Sequence, residues 1–234
     1  GIIQGTKWEP FNFDTSSPFY ATSLDNVMAE FCIPPCNTKE DFIAGILHSK
    51  NYIETLNERL CTAFIPCNIM DEVYLTTQNS KTFGCEPDYN CWTARVNPRP
   101  KPSGNLRTAG FHVHMGYENP NDEASLLLAK FFDLYVTLPS LLIEPENDRR
   151  KMYGKAGAMR FKDYGLECRT LSSYFASTEE LMSFVYNQTE KAIIAFSQYS
   201  IDVDTISEKV QAAINDNNKE MIESIVKTFD LMAA

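Results

Sequence analysis

Apolar and polar positions alternate with a period of two in two stretches of the chain, and recur at helical spacing in five others. In "TAGFHVHMGY", residues 108–117, Phe111, Val113 and Met115 alternate with His112 and His114, which predicts a strand with one apolar and one polar face. In "GLECRTL" the alternation sets Gly165, Glu167 and Arg169 against Leu166 and Cys168, predicting a second such strand. "LDNVMAEFCIPP" reads as a third, ended by Pro34 and Pro35. Thr38 with Asp41 opens a helix whose apolar residues are Phe42, Ile46, Ile53, Leu56 and Leu60. "NPNDEASLLLAKFFDLYVTL" is helical and too apolar to face solvent, so it is expected under the sheet. Ser177 with Glu180 forms a capping box for a helix through about Tyr199, and shorter helices are predicted near 204–214 and 218–229. Between Thr62 and Leu106 lie short strand candidates cut by turns, with "GCEPDYN" and "NPRPKPSGN" as loops.

The layout predicts an α+β fold, a mostly antiparallel sheet with helices packed on its other face. With 234 residues and 44% apolar content a sizeable core is available, so 1–234 is read as a single domain with 177–234 as its C-terminal helical part. A net charge of -10 leaves no basic stripe for phosphate backbones, which argues against nucleic acid and against an anionic membrane surface as partners. The longest apolar run, "ASLLLAKFFDLYVTLPSLLI", is interrupted by Lys130, Asp133 and Pro139. It is taken to fall short of the roughly 18 to 20 residues of a membrane span and to be a buried helix. Seven cysteines at irregular spacings make no zinc-type pairs and suit reduced thiols in a cytoplasmic setting. The chain opens at Gly1 and "GIIQGTK" reads like an interior segment, so the natural start is expected to be missing or processed.

Several polar groups stand where a purely structural sheet would avoid them. His112 and His114 share a strand face, about 7 Å apart at Cα. They are either a packed or solvated pair, or a ligand pair for metal or phosphate. Glu167 beside Arg169 is either a surface ion pair or a buried one with a function to justify its desolvation. Arg149, Arg150, Lys155, Arg160 and Lys162, with Gly154 and Gly157 among them, can bend around phosphate oxygens or form a solvated basic loop. Glu30, between Ala29 and Phe31, is an edge carboxylate or a buried ligand, whereas Asp25, five residues away, falls on the opposite face of a continuous strand. His48 lies in an amphipathic helix and is read as structural. Glu30, His112, His114, Glu167 and the arginines together suit the holding of a divalent cation and a polyphosphate. Neither G-x-x-x-x-G-K-S/T nor G-x-G-x-x-G occurs, so a nucleotide would be bound without a P-loop or a Rossmann unit.

"GFHVHMGY" resembles the G-x-H-x-H-x-G/S signature of the glutamine synthetase and γ-glutamylcysteine synthetase superfamily, and "AMRFKDYGLECRTLSSYF" resembles its R-x-(K)-x-x-G-x-E-x-R strand. With "GTKWEPF", "DNVMAEFCIPP", "FGCEPDYNCWT" and "RRKMYGKAGAMRFKDYGLECRTLSSY", the chain is similar from about Gly5 to Phe175 to the carboxylate-amine ligases (amidoligases) of tailed bacteriophages. The resemblance implies a glutamine-synthetase-like fold and an ATP- and Mg2+-dependent (or Mn2+-dependent) enzyme that joins a carboxylate to an amine through an acyl phosphate. By position it implies Glu30, His112 and Glu167 as metal ligands, and His114, Arg150 and Lys155 on the nucleotide phosphates. Arg160 and Arg169 would hold the substrate carboxylate or the transferred phosphoryl group. The substrates implied are small-molecule, peptide or protein acids and amines, in the host cytoplasm, and superfamily members often assemble as homo-oligomers. Family members usually carry a D/E-P-E strand ahead of the G-T-K motif, and this chain starts after it. The "EPD" at 86–88 lies in a turn and is given no role. Two other classes share parts of the pattern. H-x-H with a distant glutamate is also used by metal-dependent hydrolases and cupin-like enzymes, and a non-catalytic binding or assembly protein could keep the fold.

Overall fold

The computed structural model describes residues 3–25, 27–59, 61–77, 80, 88–98, 100 and 104–232. Three antiparallel sheets are present among them. Strands β1 (Phe11–Asn12), β2 (Ala21–Asp25) and β3 (Met28–Cys32) form the first, in that order. β4 (Cys67–Ile69) pairs with β7 (Leu106–Thr108) in the second. The third holds β5 (Tyr89–Asn90), β6 (Arg95–Val96), β8 (Val113–Gly116), β9 (Ala158–Lys162) and β10 (Gly165–Cys168) in the order β6-β5-β9-β10-β8.

The helices are α1 (Lys39–Thr55), α2 (Asp122–Phe132), α3 (Leu138–Ile143), α4 (Glu179–Gln198), α5 (Ser207–Asn215) and α6 (Lys219–Thr228). Alternation along the third sheet sends Val113, Met115, Met159, Leu166 and Cys168 inward, where they join Phe131, Phe132 and Leu134 in the main core. α4 runs along α2 from behind, so helices cover one face of this sheet. The architecture is α+β with antiparallel sheets, as the pattern predicts.

The run from Asp122 to Ile143 differs from expectation. It is helical for 22 residues, long and apolar enough to cross a membrane by length and composition alone, yet 67% of its most apolar stretch is buried inside the protein. Its interruptions are absorbed by tertiary bonds. Lys130 pairs with Asp204 at 2.7 Å, and Asp133 accepts from the Trp92 indole. Pro139 sits in the first turn of α3, after a π-helical turn over Asp133–Thr137, where it removes no needed donor. Thr137 at the end of that turn meets the Thr170 hydroxyl at 2.6 Å, beneath the end of β10.

Two boundaries also shift. "LDNVMAEFCIPP" is not one strand, because the chain reverses between the paired residues Asp25 and Met28 and returns as β3. α4 is capped by Thr178, whose hydroxyl accepts from Leu181 N–H, while the Ser177 hydroxyl is spent on the Tyr174 carbonyl in the preceding turn. Thr38 caps α1 as expected, accepting from Asp41 N–H. Leu60 and parts of both predicted loops (84–87, 99, 101–103) lie outside the described residues.

Candidate active site

Register builds the site. β10 pairs Glu167 with Arg160 of β9 on one side and His114 of β8 on the other, so these three side chains stand abreast on the face away from the helices. Two residues along, Arg169 and His112 continue the same face just beyond the paired stretch. Gly165 lets β8 and β10 come this close. Its φ is +146, and a Cβ there would lie 2.1 Å from the Met115 carbonyl oxygen. Gly110 makes room for the imidazole of His112, since a Cβ there would lie 2.8 Å from Nε2.

Glu167 is 3% exposed and takes three partners. Lys162 Nζ lies 2.7 Å from Oε2, Arg169 donates from Nη1 to Oε1, and His112 Nδ1 lies 3.2 Å from Oε1. Burial would raise this carboxyl, but the charges of Arg169 and Lys162, with His112 beside them, hold it well below the usual carboxylate range. His112 is itself driven neutral. Burial, and then the Arg169 charge 3.1 Å from Nδ1, push its pKa well below the ordinary value. One nitrogen of His112 is turned to Glu167 and Arg169, and the other lies on the side of Gly110. His114 is exposed by surface area, and partial desolvation by its neighbours lowers its pKa; its Nδ1 lies 2.5 Å from the Tyr164 hydroxyl.

A carboxylate given no role in the sequence completes the arrangement. Asp88, just ahead of β5, places Oδ1 2.8 Å from Arg169 Nε and 3.4 Å from Arg160 Nε, so one oxygen bridges two guanidinium groups that would otherwise repel. Burial raises its carboxyl, and the two arginines oppose the rise. Glu30 approaches from the first sheet. It accepts from the Ser23 hydroxyl at 3.3 Å, and its pKa is raised by burial and by Asp25, with Lys7 and Arg169 acting the other way. The turn between Asp25 and Met28 puts Asp25 and Glu30 on one face, not on opposite faces as a continuous strand would.

The basic loop divides. Arg150 donates to the Ile214 carbonyl at 2.8 Å and Lys155 to that of Asn215 at 3.2 Å, so both close the C-terminal end of α5, where the last carbonyls and the helix dipole attract cations. The structure does not bring them to the polar face. Arg149 is buried and donates to the Thr170 carbonyl at 3.1 Å; burial pushes it down to about 10, which still leaves it charged at neutral pH. Arg160 and Lys162 face the site from β9. Sequence reasoning missed Asp88, Lys162 as a partner of Glu167, and Tyr164. Two of them carried a signal: Lys162 by its spacing of two from Arg160, and Asp88 as the last residue of the "EPD" that resembles the D/E-P-E motif but reads as a turn.

Among the described residues no three His, Cys, Asp or Glu side chains stand close enough to hold a metal ion between them. Arg160, Arg169 and Lys162 face Asp88 and Glu167, and Glu30 approaches from the first sheet, so the cations are offset by the protein's own carboxylates. A polyphosphate of about four charges would bring a need for further positive charge. The donor chemistry fits a divalent cation that arrives with such a ligand. Glu30 is a desolvated carboxylate beside a second acid, a combination that added positive charge relieves.

Searches of curated proteins and of solved structures give no match. Residues 102–232 match the model of the phage phiEco32-like COOH.NH2 ligase-type 2 family. The match contains His112, His114, Arg160, Glu167 and Arg169, while Glu30 and Asp88 lie before it. Because it spans more than half of the chain and holds the whole row on β8, β9 and β10, the protein belongs to this family of ligases that join a carboxyl group to an amine.

Proposed function

We propose that the protein is an ATP-dependent carboxylate-amine ligase working through an acyl phosphate, on a sheet arranged as in glutamine synthetase. The chain is read as one catalytic unit, with the 177–234 helices supporting the sheet from behind. The observation that carries this reading is the pair of guanidinium groups, Arg160 and Arg169, bridged by Asp88 on a desolvated face beside neutral His112.

A carboxylate is a poor electrophile. Its oxygen attacks the terminal phosphorus of ATP, ADP departs, and the acyl phosphate is then attacked by the amine, which loses a proton as phosphate leaves. Both steps gather negative charge on phosphoryl oxygens, which preorganised cations stabilise best where water is excluded. Arg160 and Arg169 hold the acid's carboxylate or the transferred phosphoryl group, the planar forks suiting either. Lys162 and His114 meet the nucleotide phosphates from the same face. Glu30 and Glu167 would hold Mg2+ or Mn2+ accompanying ATP, which supplies the charge neutralisation that the protein cations lack.

The test uses hydroxylamine as a general amine. Protein, ATP and MgCl2 are incubated with a panel of amino acids and peptide acids, and ADP and hydroxamate are measured. Acid-dependent ADP release with hydroxamate is expected, falling at least about a hundredfold in Arg169→Ala and Glu167→Ala. Unchanged turnover in both variants, or no binding of Mg-ATP by calorimetry, would refute the reading.

A further inference from the structure

Tyr164 lies in the turn between β9 and β10. Lys162 and Gly165 are the last pair of that hairpin, which leaves Asp163 and Tyr164 to turn the chain. The turn is anchored to the segment after β8, where Tyr117 N–H donates to the Tyr164 carbonyl at 3.0 Å. From this fixed base the phenol ring lies beside the His114 imidazole, centroids 6.0 Å apart and planes 27° apart, with the hydroxyl 2.5 Å from Nδ1.

The direction of that hydrogen bond follows from acid and base strength. A phenol O–H is a far stronger acid than the N–H of a neutral imidazole, and the imidazole lone pair is a far stronger base than a phenol oxygen. The hydroxyl therefore donates and Nδ1 accepts. The tautomer is set by the bond made at the other nitrogen.

We propose that Tyr164 is a positioning residue that fixes His114 with its proton on Nε2, so that this imidazole offers an N–H to anionic oxygens of a polyphosphate and not a lone pair to a metal. The two histidines of the H-x-H stretch then do different work. His112 turns Nδ1 to Glu167 and Arg169, whereas His114 gives Nδ1 to Tyr164 and keeps Nε2–H for the ligand. The tautomer part stands on geometry and acid strength alone; the ligand part rests on the ligase reading.

The three histidines make the test direct. A two-bond proton–nitrogen correlation spectrum of protein labelled at histidine nitrogen, assigned with His114→Gln, shows which nitrogen of His114 carries the proton. Nε2 protonated and Nδ1 bare is expected, with the Nδ1 resonance moving downfield in Tyr164→Phe as its donor is lost. A proton on Nδ1 in the parent protein overturns the tautomer part, and so does an unmoved Nδ1 in Tyr164→Phe. Should that variant misfold, the parent spectrum decides by itself. Inorganic tripolyphosphate is then titrated in the presence of saturating MgCl2. The Nε2 nitrogen and its proton should shift, and Tyr164→Phe should bind roughly three- to tenfold more weakly, the effect of one hydrogen bond. Tripolyphosphate that binds without moving His114 overturns the ligand part, as does Mn2+ added alone displacing the Nε2 proton. If neither tripolyphosphate nor Mg-ATP binds, the ligase reading fails together with the ligand part, and the tautomer assignment is still decided by the first spectrum.

Discussion

Asp133 carries an ionisable group into the middle of the core, 1% exposed in the π-helical turn, with one oxygen accepting from Trp92 Nε1 at 2.7 Å and from Gly157 N–H at 2.6 Å. Burial raises its pKa from 3.8 to about 6, against the opposing effect of those donors. Between these two values the folded protein keeps a proton that the unfolded chain has lost. Stability therefore falls as pH rises through this window and levels off above about 6. Asp133→Asn keeps an oxygen for both donors and removes the charge. Urea unfolding should find the variant more stable at pH 7.5 by up to about 3 kcal/mol, with the advantage vanishing near pH 4. A difference that grows toward low pH would mean that the native state favours the ionised form. Glu167 with Arg169, and His112 with His114, were legible in the sequence because a period of two puts each pair on one face of its strand, whereas Arg160 stood out only as a cation of the basic loop and in the family resemblance. The role of Asp88 was not legible, because it reaches Arg169 only through the pairing of β5 with β9, about 70 residues away in sequence.

At the level of elements, local chemistry shows how each boundary is chosen. α4 ends on Tyr199, which adopts the left-handed conformation with φ 48 and ψ 41 while its ring is 72% exposed. Glycine is favoured at such a site because it has no Cβ to crowd the carbonyl, so Tyr199→Gly should stabilise the protein by about 0.5 to 1 kcal/mol in denaturant titration. Loss of stability would assign the ring a packing role through its neighbour Phe196. The hairpin of β2 and β3 escaped the sequence pattern because a two-residue reversal changes which positions share a face, and period-two reasoning holds only within one strand. Choosing Thr178 over Ser177 as the cap of α4 depended on the Tyr174 carbonyl, a competition between adjacent hydroxyls that composition does not reveal. Arg150 and Lys155 were drawn to the end of α5 for a similar reason: its last carbonyls become visible only once that helix is placed.

Across the whole molecule, the polar face belongs to two sheets. Glu30 comes from the first sheet and responds to Arg169 on the third, so a ligand seated between them would tie the sheets together. Saturating Mg-ATP should slow amide exchange in β2 and β3 as well as in β9 and β10, and at a hundred times its Kd raise global stability by about 2.7 kcal/mol. Protection confined to the third sheet would remove Glu30 from the site. The α+β layout and the helix-covered face were readable from hydrophobic spacing, whereas the approach of the first sheet was not, since it rests on contacts distant in sequence. The π-helical turn has a consequence for the site as well. One additional residue wound into that coil rotates everything after it by about 100°, and this phase brings the Thr137 hydroxyl round to Thr170, the neighbour of Arg169. A winding irregularity on the side that never meets solvent thus fastens the residue next in the chain to a guanidinium on the open side of the sheet.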